Sequence, residues 1–169
     1  PDGLYLIDQH AAHERILFEK AKEQRSRGKV EIQGLLEPAT FEVDAREGEV
    51  LKSHLEHLAQ YGFAIEPFGD RTYLVRAVPA LLHNQDWAAA IRGLLASLSG
   101  EGGSDWAEGV AISIACHSAV RAGQVLTDEE MRQLVRQLEQ AAIPNTCPHG
   151  RPTMIRLSSK QLEREFGRR

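Results

Sequence analysis

This chain has few cysteines and no long hydrophobic runs, which argues against a disulfide-rich protein and against a membrane-spanning one. Two cysteines in 169 residues are too few for a disulfide framework and are typical of a reducing compartment, where a cysteine near a histidine is more often a metal ligand or a small buried hydrophobe. The longest apolar runs, such as residues 110–116, are far shorter than the roughly 20 residues of a membrane span, and the N-terminus lacks a signal-peptide pattern. We therefore predict a cytoplasmic protein.

An excess of positive charge is also missing. Lys and Arg total 20 against 24 Asp and Glu, which gives a net charge of −4. Bulk electrostatics therefore do not favour duplex DNA, which carries roughly one negative charge per 1.7 Å. A nucleic-acid role would need local basic patches or a partner that recruits the chain. The composition, 42% hydrophobic and 26% charged, supports one sizeable core or two small subdomains that share a few long helices.

Hydrophobic periodicity and turn residues predict an α+β fold. Asp8 is placed to cap a helix over residues 9–27, directly after a strand over 4–7. The other predicted strands cover 30–36, 40–43, 63–67, 72–78 and 153–157, and the other predicted helices cover 47–60, 86–98, 105–120, 128–142 and a final stretch capped by Ser159. The glycine-rich segment 100–104 predicts a flexible subdomain border. A turn at residues 1–3 predicts a partner strand further upstream, and hence that the chain is a fragment.

Two short segments near opposite ends of the chain carry the residue types of a metal site. His10 and Glu14 are four residues apart and therefore share one helix face, while Cys147 and His149 lie in a loop bounded by Pro and Gly. Thiolate, imidazole and carboxylate ligands in this combination suit zinc or manganese. The alternative is that His10 and Glu14 form an ordinary surface or core pair, since the sequence does not show that the two segments meet.

Several nearby residues have both a structural and a chemical interpretation. Asp8 is either only the helix N-cap or a carboxylate that joins Glu14 in holding a divalent cation. Cys116 is by default a buried core cysteine, but it could reach the metal. His13 lies beside the face that carries Glu14 and could contribute. Glu19 is turned away from Glu14 by well over about 100° on a regular helix, so we do not expect it to be a direct ligand.

Four motifs, in order, resemble the C-terminal domain of the MutL mismatch-repair proteins, in the nicking-endonuclease branch of that family. Residues 8–19 resemble its endonuclease motif, and residues 115–121 resemble its second motif, with His117 where Arg or Lys is common. Residues 147–152 match the third motif without a change, and residues 166–168 resemble a short C-terminal Phe-x-Arg motif. The resemblance covers essentially the whole chain.

The resemblance implies a latent, manganese-stimulated endonuclease that nicks one strand of duplex DNA during mismatch repair. The residues that it implies as catalytic are Asp8, His10 and Glu14, and the metal ligands that it implies are His10, Glu14, Cys116, Cys147 and His149. The site would hold regulatory zinc as well as catalytic manganese. Arg121 and Arg151 are candidates for holding DNA phosphates, with structural ion pairing as the alternative.

A further short motif indicates a protein partner. Residues 33–38 resemble the Gln-x-x-Leu-x-Pro peptide by which such proteins dock on the replication sliding clamp. In an extended segment, Leu36 and Pro38 can enter an apolar groove while the amide of Gln33 makes hydrogen bonds. The alternative is a plain strand that ends at proline, and the family resemblance favours docking. The negative net charge then fits a nuclease domain that has little DNA affinity until partners deliver it.

The resemblance also implies a domain organisation and a set of partners. Residues 1–28 and 101–169 would form a dimerisation and catalytic subdomain, residues 29–100 an inserted regulatory subdomain, and the long helix after Asp8 would join them. The implied partners are a second copy of the chain, duplex DNA, the clamp and a MutS-type mismatch sensor, which act at the nucleoid of a bacterial cytoplasm. The competing function is a non-catalytic dimerisation and clamp-binding module with structural zinc, which would have no need of Asp8.

Overall fold

The fold combines helices with antiparallel sheets, which agrees with the predicted α+β class. It is described here from a computed structural model, which covers residues 3–82, 86–98, 105–121 and 123–168. The elements, in chain order, are β1 (Gly3–Ile7), α1 (Gln9–Ser26), β2 (Ile32–Glu42), α2 (Ala45–Ser53), α3 (Leu55–Ala59), β3 (Ala64–Pro67), β4 (Thr72–Pro79), a short 3-10 helix (Ala80–Leu82), α4 (Trp87–Leu98), α5 (Trp106–Ser118), α6 (Asp128–Gln140), β5 (Met154–Ser158) and α7 (Ser159–Glu165).

Helix α1 begins and ends close to where its capping residues predict. The carboxylate oxygen Oδ1 of Asp8 accepts hydrogen bonds from the backbone amides of His10 and Ala11, at 2.9 and 3.0 Å. These bonds satisfy amides that have no partner inside the helix. The chain leaves the helix through Gly28, whose φ of 60° is a left-handed conformation that glycine adopts without steric cost.

The chain folds into two compact units. The first unit contains Pro1–Ile16 and Val120–Arg169, and the second contains Leu17–Ala119. In the first unit, β1 pairs with β5 in an antiparallel register that runs from Gly3 opposite Ser158 to Ile7 opposite Met154. Its small core contains Ala12, Leu134 and Leu138, with Ile7, Ile16, Leu126 and Met154 packed against them.

The second unit is built on a three-stranded antiparallel sheet with the order β2-β4-β3. Residues from this sheet, from the end of α1 and from α2 to α5 form its hydrophobic core. The buried residues of α5 in that core are Ala107, Val110, Ala111, Ile114 and Ala115. The predicted helix over residues 105–120 is thus confirmed as α5, and it belongs to the second unit.

Three predicted boundaries in these units are wrong. The predicted strands 30–36 and 40–43 are one strand, β2, whose pairing with β4 shifts between Gly34 and Ala39; Pro38, which has no amide to donate, lies inside this irregular stretch. The predicted helix 47–60 is interrupted at His54, where φ is −125°, and forms α2 and α3. The cap of α7 is Ser158 rather than Ser159, because the Ser158 side chain accepts from the Gln161 amide.

The two units do not have the same ranges as the predicted subdomains. The second unit extends beyond the predicted range 29–100 at both ends, because it includes the second half of α1 and all of α5. The predicted flexible border at residues 100–104 and most of the predicted turn at residues 1–3 lie outside the described residues. Within the described ranges, none of the helices combines the length and hydropathy needed to cross a bilayer.

Helix α6 provides a direct test of how much one cap stabilises the first unit. The Thr127 side chain accepts from the Glu130 amide, and the Glu130 carboxylate accepts from the Thr127 amide at 2.7 Å. We expect Thr127→Ala to lower the free energy of unfolding of this chain by about 1 kcal/mol and the thermal midpoint by about 2–4 °C. Thr127→Ser keeps the hydroxyl and should unfold like the wild type. Equal midpoints for the alanine and serine variants would contradict the capping role.

Candidate metal centre

The carboxylate of Glu14 is the centre of the polar cluster in the first unit. It is only 2% exposed, and its two oxygens face imidazoles from different parts of the chain. Oε1 lies 3.1 Å from Nε2 of His10, and Oε2 lies 3.4 Å from Nδ1 of His149. The two segments that the sequence proposes as halves of one site are therefore adjacent. The imidazoles retain 26% and 38% exposure, so the cluster remains accessible from solvent.

A backbone carbonyl fixes which nitrogen of His10 faces Glu14. Nδ1 of His10 lies 2.8 Å from the carbonyl oxygen of Val120. A carbonyl only accepts hydrogen bonds, so Nδ1 carries the proton, and Nε2 is the nitrogen turned toward the carboxylate. In a neutral His10, Nε2 therefore turns its lone pair toward a carboxylate oxygen 3.1 Å away, an arrangement that a shared cation would stabilise. A histidine whose distal N–H is bound to a carbonyl is typical of metal ligands.

The loop between α6 and β5 brings a thiol to the same place. Cys147 is buried, and its Sγ lies 4.0 Å from Nδ1 of His149. The Cys147 amide donates to the Arg151 carbonyl at 2.8 Å, and the Gly150 amide donates to the Cys147 carbonyl at 2.9 Å. Gly150 has a φ of 80°, which a side chain would strain. This tight turn presents the thiol and the imidazole together, and such a set of ligands fits zinc.

His13, which the sequence suggests as a further contributor, has a different environment. Its Nδ1 accepts a hydrogen bond from the Val120 amide at 3.0 Å, so the lone pair of that nitrogen is not directed at Glu14. Burial lowers the pKa of His13, and the neighbouring His10 lowers this pKa further. The imidazole is therefore held in its neutral form. Val120 thus orients His10 through its carbonyl and His13 through its amide.

Comparisons with known proteins agree with the motifs. The model of the MutL C terminal dimerisation domain matches residues 1–126. This chain belongs to that family. The MutL relatives include the DNA mismatch repair protein MutL of Geotalea daltonii, 40% identical over 171 residues, and that of Phenylobacterium zucineum, 42% identical over 172 residues. These matches cover 99% of this chain but only 29% and 28% of the two relatives. The chain therefore spans just under a third of the length of these MutL proteins.

The relatives match more of the motifs than the MutL family model does. The family model ends at residue 126, so it includes the stretch with Asp8, His10 and Glu14 but not the loop with Cys147 and His149. The matches to the relatives cover 98–99% of the chain and therefore extend over the loop as well. The resemblance to MutL that the motifs indicate is confirmed over nearly the whole chain.

The remaining residues singled out from the sequence stay predictions as functional groups. Asp8 is confirmed as the N-cap of α1, and a cap can also have a chemical role. Cys116 is half-buried on α5 in the second unit, and its assignment as a ligand stays a prediction. Arg121 and Arg151 are exposed, as a contact with phosphate would require.

Two residues of the first unit, Val120 and Arg15, have roles that the sequence analysis did not predict. Val120 orients two histidines with its own amide and carbonyl, and any residue except proline offers the same two groups. Its side chain therefore gives no signal. Arg15, which is buried, does carry a signal that could have been used, because an apolar run, residues 16–18, follows it directly.

Replacing either proposed ligand from the loop, Cys147 or His149, should weaken zinc binding. We expect Cys147→Ser and His149→Gln to reduce the zinc affinity of the full-length protein by about tenfold or more, since each removes a proposed ligand. Zinc content after dialysis against a chelator, measured by mass spectrometry, is the readout. His57→Gln, which alters a histidine on α3 in the second unit, should keep the wild-type content. If both variants of the loop retained as much zinc as the wild type, Cys147 and His149 would not be zinc ligands.

Proposed function

We propose that this chain is the nuclease part of a DNA mismatch-repair protein and nicks one strand of duplex DNA in a metal-dependent reaction. The observation that supports this function most strongly is the buried carboxylate of Glu14, which faces the imidazoles of His10 and His149. The thiol of Cys147 lies 4.0 Å from Nδ1 of His149. The MutL relatives named above carry mismatch repair in their names, and this chain matches one part of them.

The chemistry of the ligands supports two kinds of metal ion. Cys147 and the imidazoles of His10 and His149 are soft or intermediate ligands that suit regulatory Zn²⁺, whereas the oxygens of Glu14 and Asp8 suit Mn²⁺. The resemblance adds Cys116 to the candidate ligands. A divalent cation would supply Lewis acidity toward the phosphodiester.

This chain's own residues would perform the remaining tasks. Glu14 would hold the cation with its buried carboxylate, and His10 would be kept in its binding orientation by the Val120 carbonyl. Asp8 would provide a second carboxylate at the start of the same helix. The exposed guanidinium groups of Arg121 and Arg151 would hold the phosphates of the DNA backbone.

Delivery by the sliding clamp would compensate for weak affinity for DNA. The net charge is −4, which disfavours unassisted binding. In the proposed clamp motif Leu36 is fully exposed, whereas the preceding Leu35 packs against the core of the second unit. Gln33 remains paired with Val78, and the regular pairing of β2 is interrupted between Gly34 and Ala39. An exposed leucine in an interrupted strand can enter a groove of a partner.

We further propose that the chain acts as a homodimer, which the name of the matched family implies. On one face of the two-stranded sheet of the first unit, Leu4, Leu6 and Ile155 are each about half exposed, and Leu6 lies opposite Ile155 in the register. Tyr5, which is also about half exposed, lies on the other face. An exposed apolar patch on one face of a sheet is typical of a protein interface. A MutS-type mismatch sensor would reach the chain through the full-length protein.

A non-catalytic dimerisation and clamp-binding module with structural zinc is the second candidate function. The combination of Cys147 with His149 would serve that function equally well. Asp8 distinguishes the two candidate functions, because a structural zinc site does not need the charge of this residue. In the non-catalytic module, Asp8 would act only as the N-cap of α1.

The substitution Asp8→Asn tests the nuclease without removing the cap. Asparagine caps helices about as well as aspartate does, so we expect a loss of stability well below about 1 kcal/mol. Nicking of supercoiled plasmid by the full-length protein with Mn²⁺ should fall by about 10²-fold or more if the carboxylate takes part in the chemistry.

A matched control for this experiment is Asp44→Asn, at the N-cap of α2 in the second unit. The Asp44 side chain accepts from the Glu47 amide, so the substitution makes the same change in charge at another helix start. This variant should nick like the wild type. Undiminished nicking by Asp8→Asn would leave the structural zinc module as the better account.

The clamp motif can be tested separately from the nuclease. We expect Gln33→Ala with Leu36→Ala to abolish retention of the full-length protein on immobilised clamp, because both anchoring side chains are removed. Gln140→Ala with Val125→Ala removes an exposed glutamine and an exposed aliphatic side chain elsewhere, and it should leave retention unchanged. If the motif variant were retained on the clamp as well as the wild type, residues 33–38 would be an ordinary strand segment and not a clamp-binding motif.

A further inference from the structure

We propose that Arg15 is a positioning residue, which holds the loop with Cys147 and His149 at the distance from Glu14 that metal binding requires. This inference rests on the proposed metal centre. Arg15 directly follows Glu14 on α1 and is only 7% exposed. Its Nε donates a hydrogen bond of 2.5 Å to the carbonyl of Thr146, the residue before Cys147. One helical turn therefore contains both the central carboxylate and a donor that contacts the loop.

The other end of the loop is fixed by Thr153. Thr153 is fully buried, its hydroxyl donates to the Pro144 carbonyl, and its amide donates to the Asn145 carbonyl at 3.1 Å. Its own carbonyl accepts from the Asp8 amide at 2.9 Å. Thr153 thus joins the base of the loop to the start of α1. Together with the bridge between Thr146 and Pro152, these bonds close the loop at its base.

Arg15 sets the distance between Glu14 and the loop that contains Cys147, which the bonds at the base of the loop do not fix. Thr153 fixes the loop near Asp8, at the start of the helix, whereas Glu14 lies further along it. The bond from Arg15 to Thr146 joins the turn that contains Glu14 to the residue before Cys147, and it adds to the contact between Glu14 and His149. A guanidinium suits this task because it stays charged at all physiological pH values and its planar donors have a fixed direction.

The burial of Arg15 argues against a direct role in holding DNA. A phosphate contact requires an exposed guanidinium, as at Arg121 and Arg151, but the side chain of Arg15 is buried and its Nε is bound to a carbonyl. The effect of Arg15 on the metal would therefore be indirect. Outer contacts of this kind change metal affinity by about 10–100-fold in other metal sites.

The test measures Co²⁺ binding, since Co²⁺ replaces Zn²⁺ and is coloured when ligated by nitrogen and sulfur. The full-length protein is stripped of metal and titrated with Co²⁺, and the absorption of the complex gives the affinity. We expect Arg15→Met to weaken binding by about 10–100-fold. Arg15→Lys keeps the charge and one donor, so it should restore part of this loss. Thr153→Val, which removes the hydroxyl from the base of the loop, should also weaken binding.

A matched control is Arg92→Met in the second unit. Arg92 also donates to a backbone carbonyl, that of Glu42 at 3.2 Å, and its removal should leave Co²⁺ affinity unchanged. Thermal unfolding of the metal-free variants shows whether each one folds. If Arg15→Met does not fold, Arg15→Lys carries the test. Its ammonium lacks the planar donors of a guanidinium, so this variant should bind Co²⁺ more weakly than the wild type, by less than about tenfold.

The outcomes separate this inference from the proposed function. Wild-type affinity in folded Arg15→Met, or in Arg15→Lys when the methionine variant does not fold, would overturn the positioning role and leave the metal centre intact. An equal loss of affinity in Arg92→Met would overturn it too, because a general loss of stability would then explain the effect. Absence of Co²⁺ binding by the wild-type protein would remove the metal centre and this inference with it.

Discussion

The burial of the Glu14 carboxylate is the constraint on which the rest of the first unit depends. An ionised carboxylate removed from water is costly unless it is paired or binds a cation. The Glu14 carboxylate faces His10 from the same helix and His149 from a distant loop. The Val120 carbonyl directs His10, and the turn over residues 147–150 directs His149. Such an arrangement would suit a cation, because two imidazoles already converge on one carboxylate.

Helix α1 brings three kinds of contact into one segment. Its cap, Asp8, joins the helix to the end of β1, and the carbonyl of Thr153 accepts from the Asp8 amide. Glu14 provides the central charge, and Arg15 reaches the loop next to Cys147. Because a helix is stiff over one or two turns, these contacts are set relative to one another. The small core that Ala12 forms with Leu138 also holds this part of the helix in place.

The second unit shows where local patterns fail as predictors. The strand β2 continues through Pro38 because its pairing with β4 shifts instead of ending, and a proline by itself signals only a weak or broken strand. The break between α2 and α3 has a tertiary cause as well, since the ring of His54 stacks on Trp106 with the ring centres 3.7 Å apart. Neither the shift nor the stacking is visible in the sequence, because both depend on residues far along the chain.

The sequence by itself determined the α+β class, the cap at Asp8 and the family, because periodicity, capping residues and ordered motifs are local signals. It also identified His10, Glu14, Cys147 and His149 as one set. Tertiary structure decided that these residues meet, that Glu14 is buried and that His13 is turned to the Val120 amide. The division has a physical reason: residue types record which ligands are available, whereas distances and tautomers follow from backbone contacts between segments that lie more than a hundred residues apart.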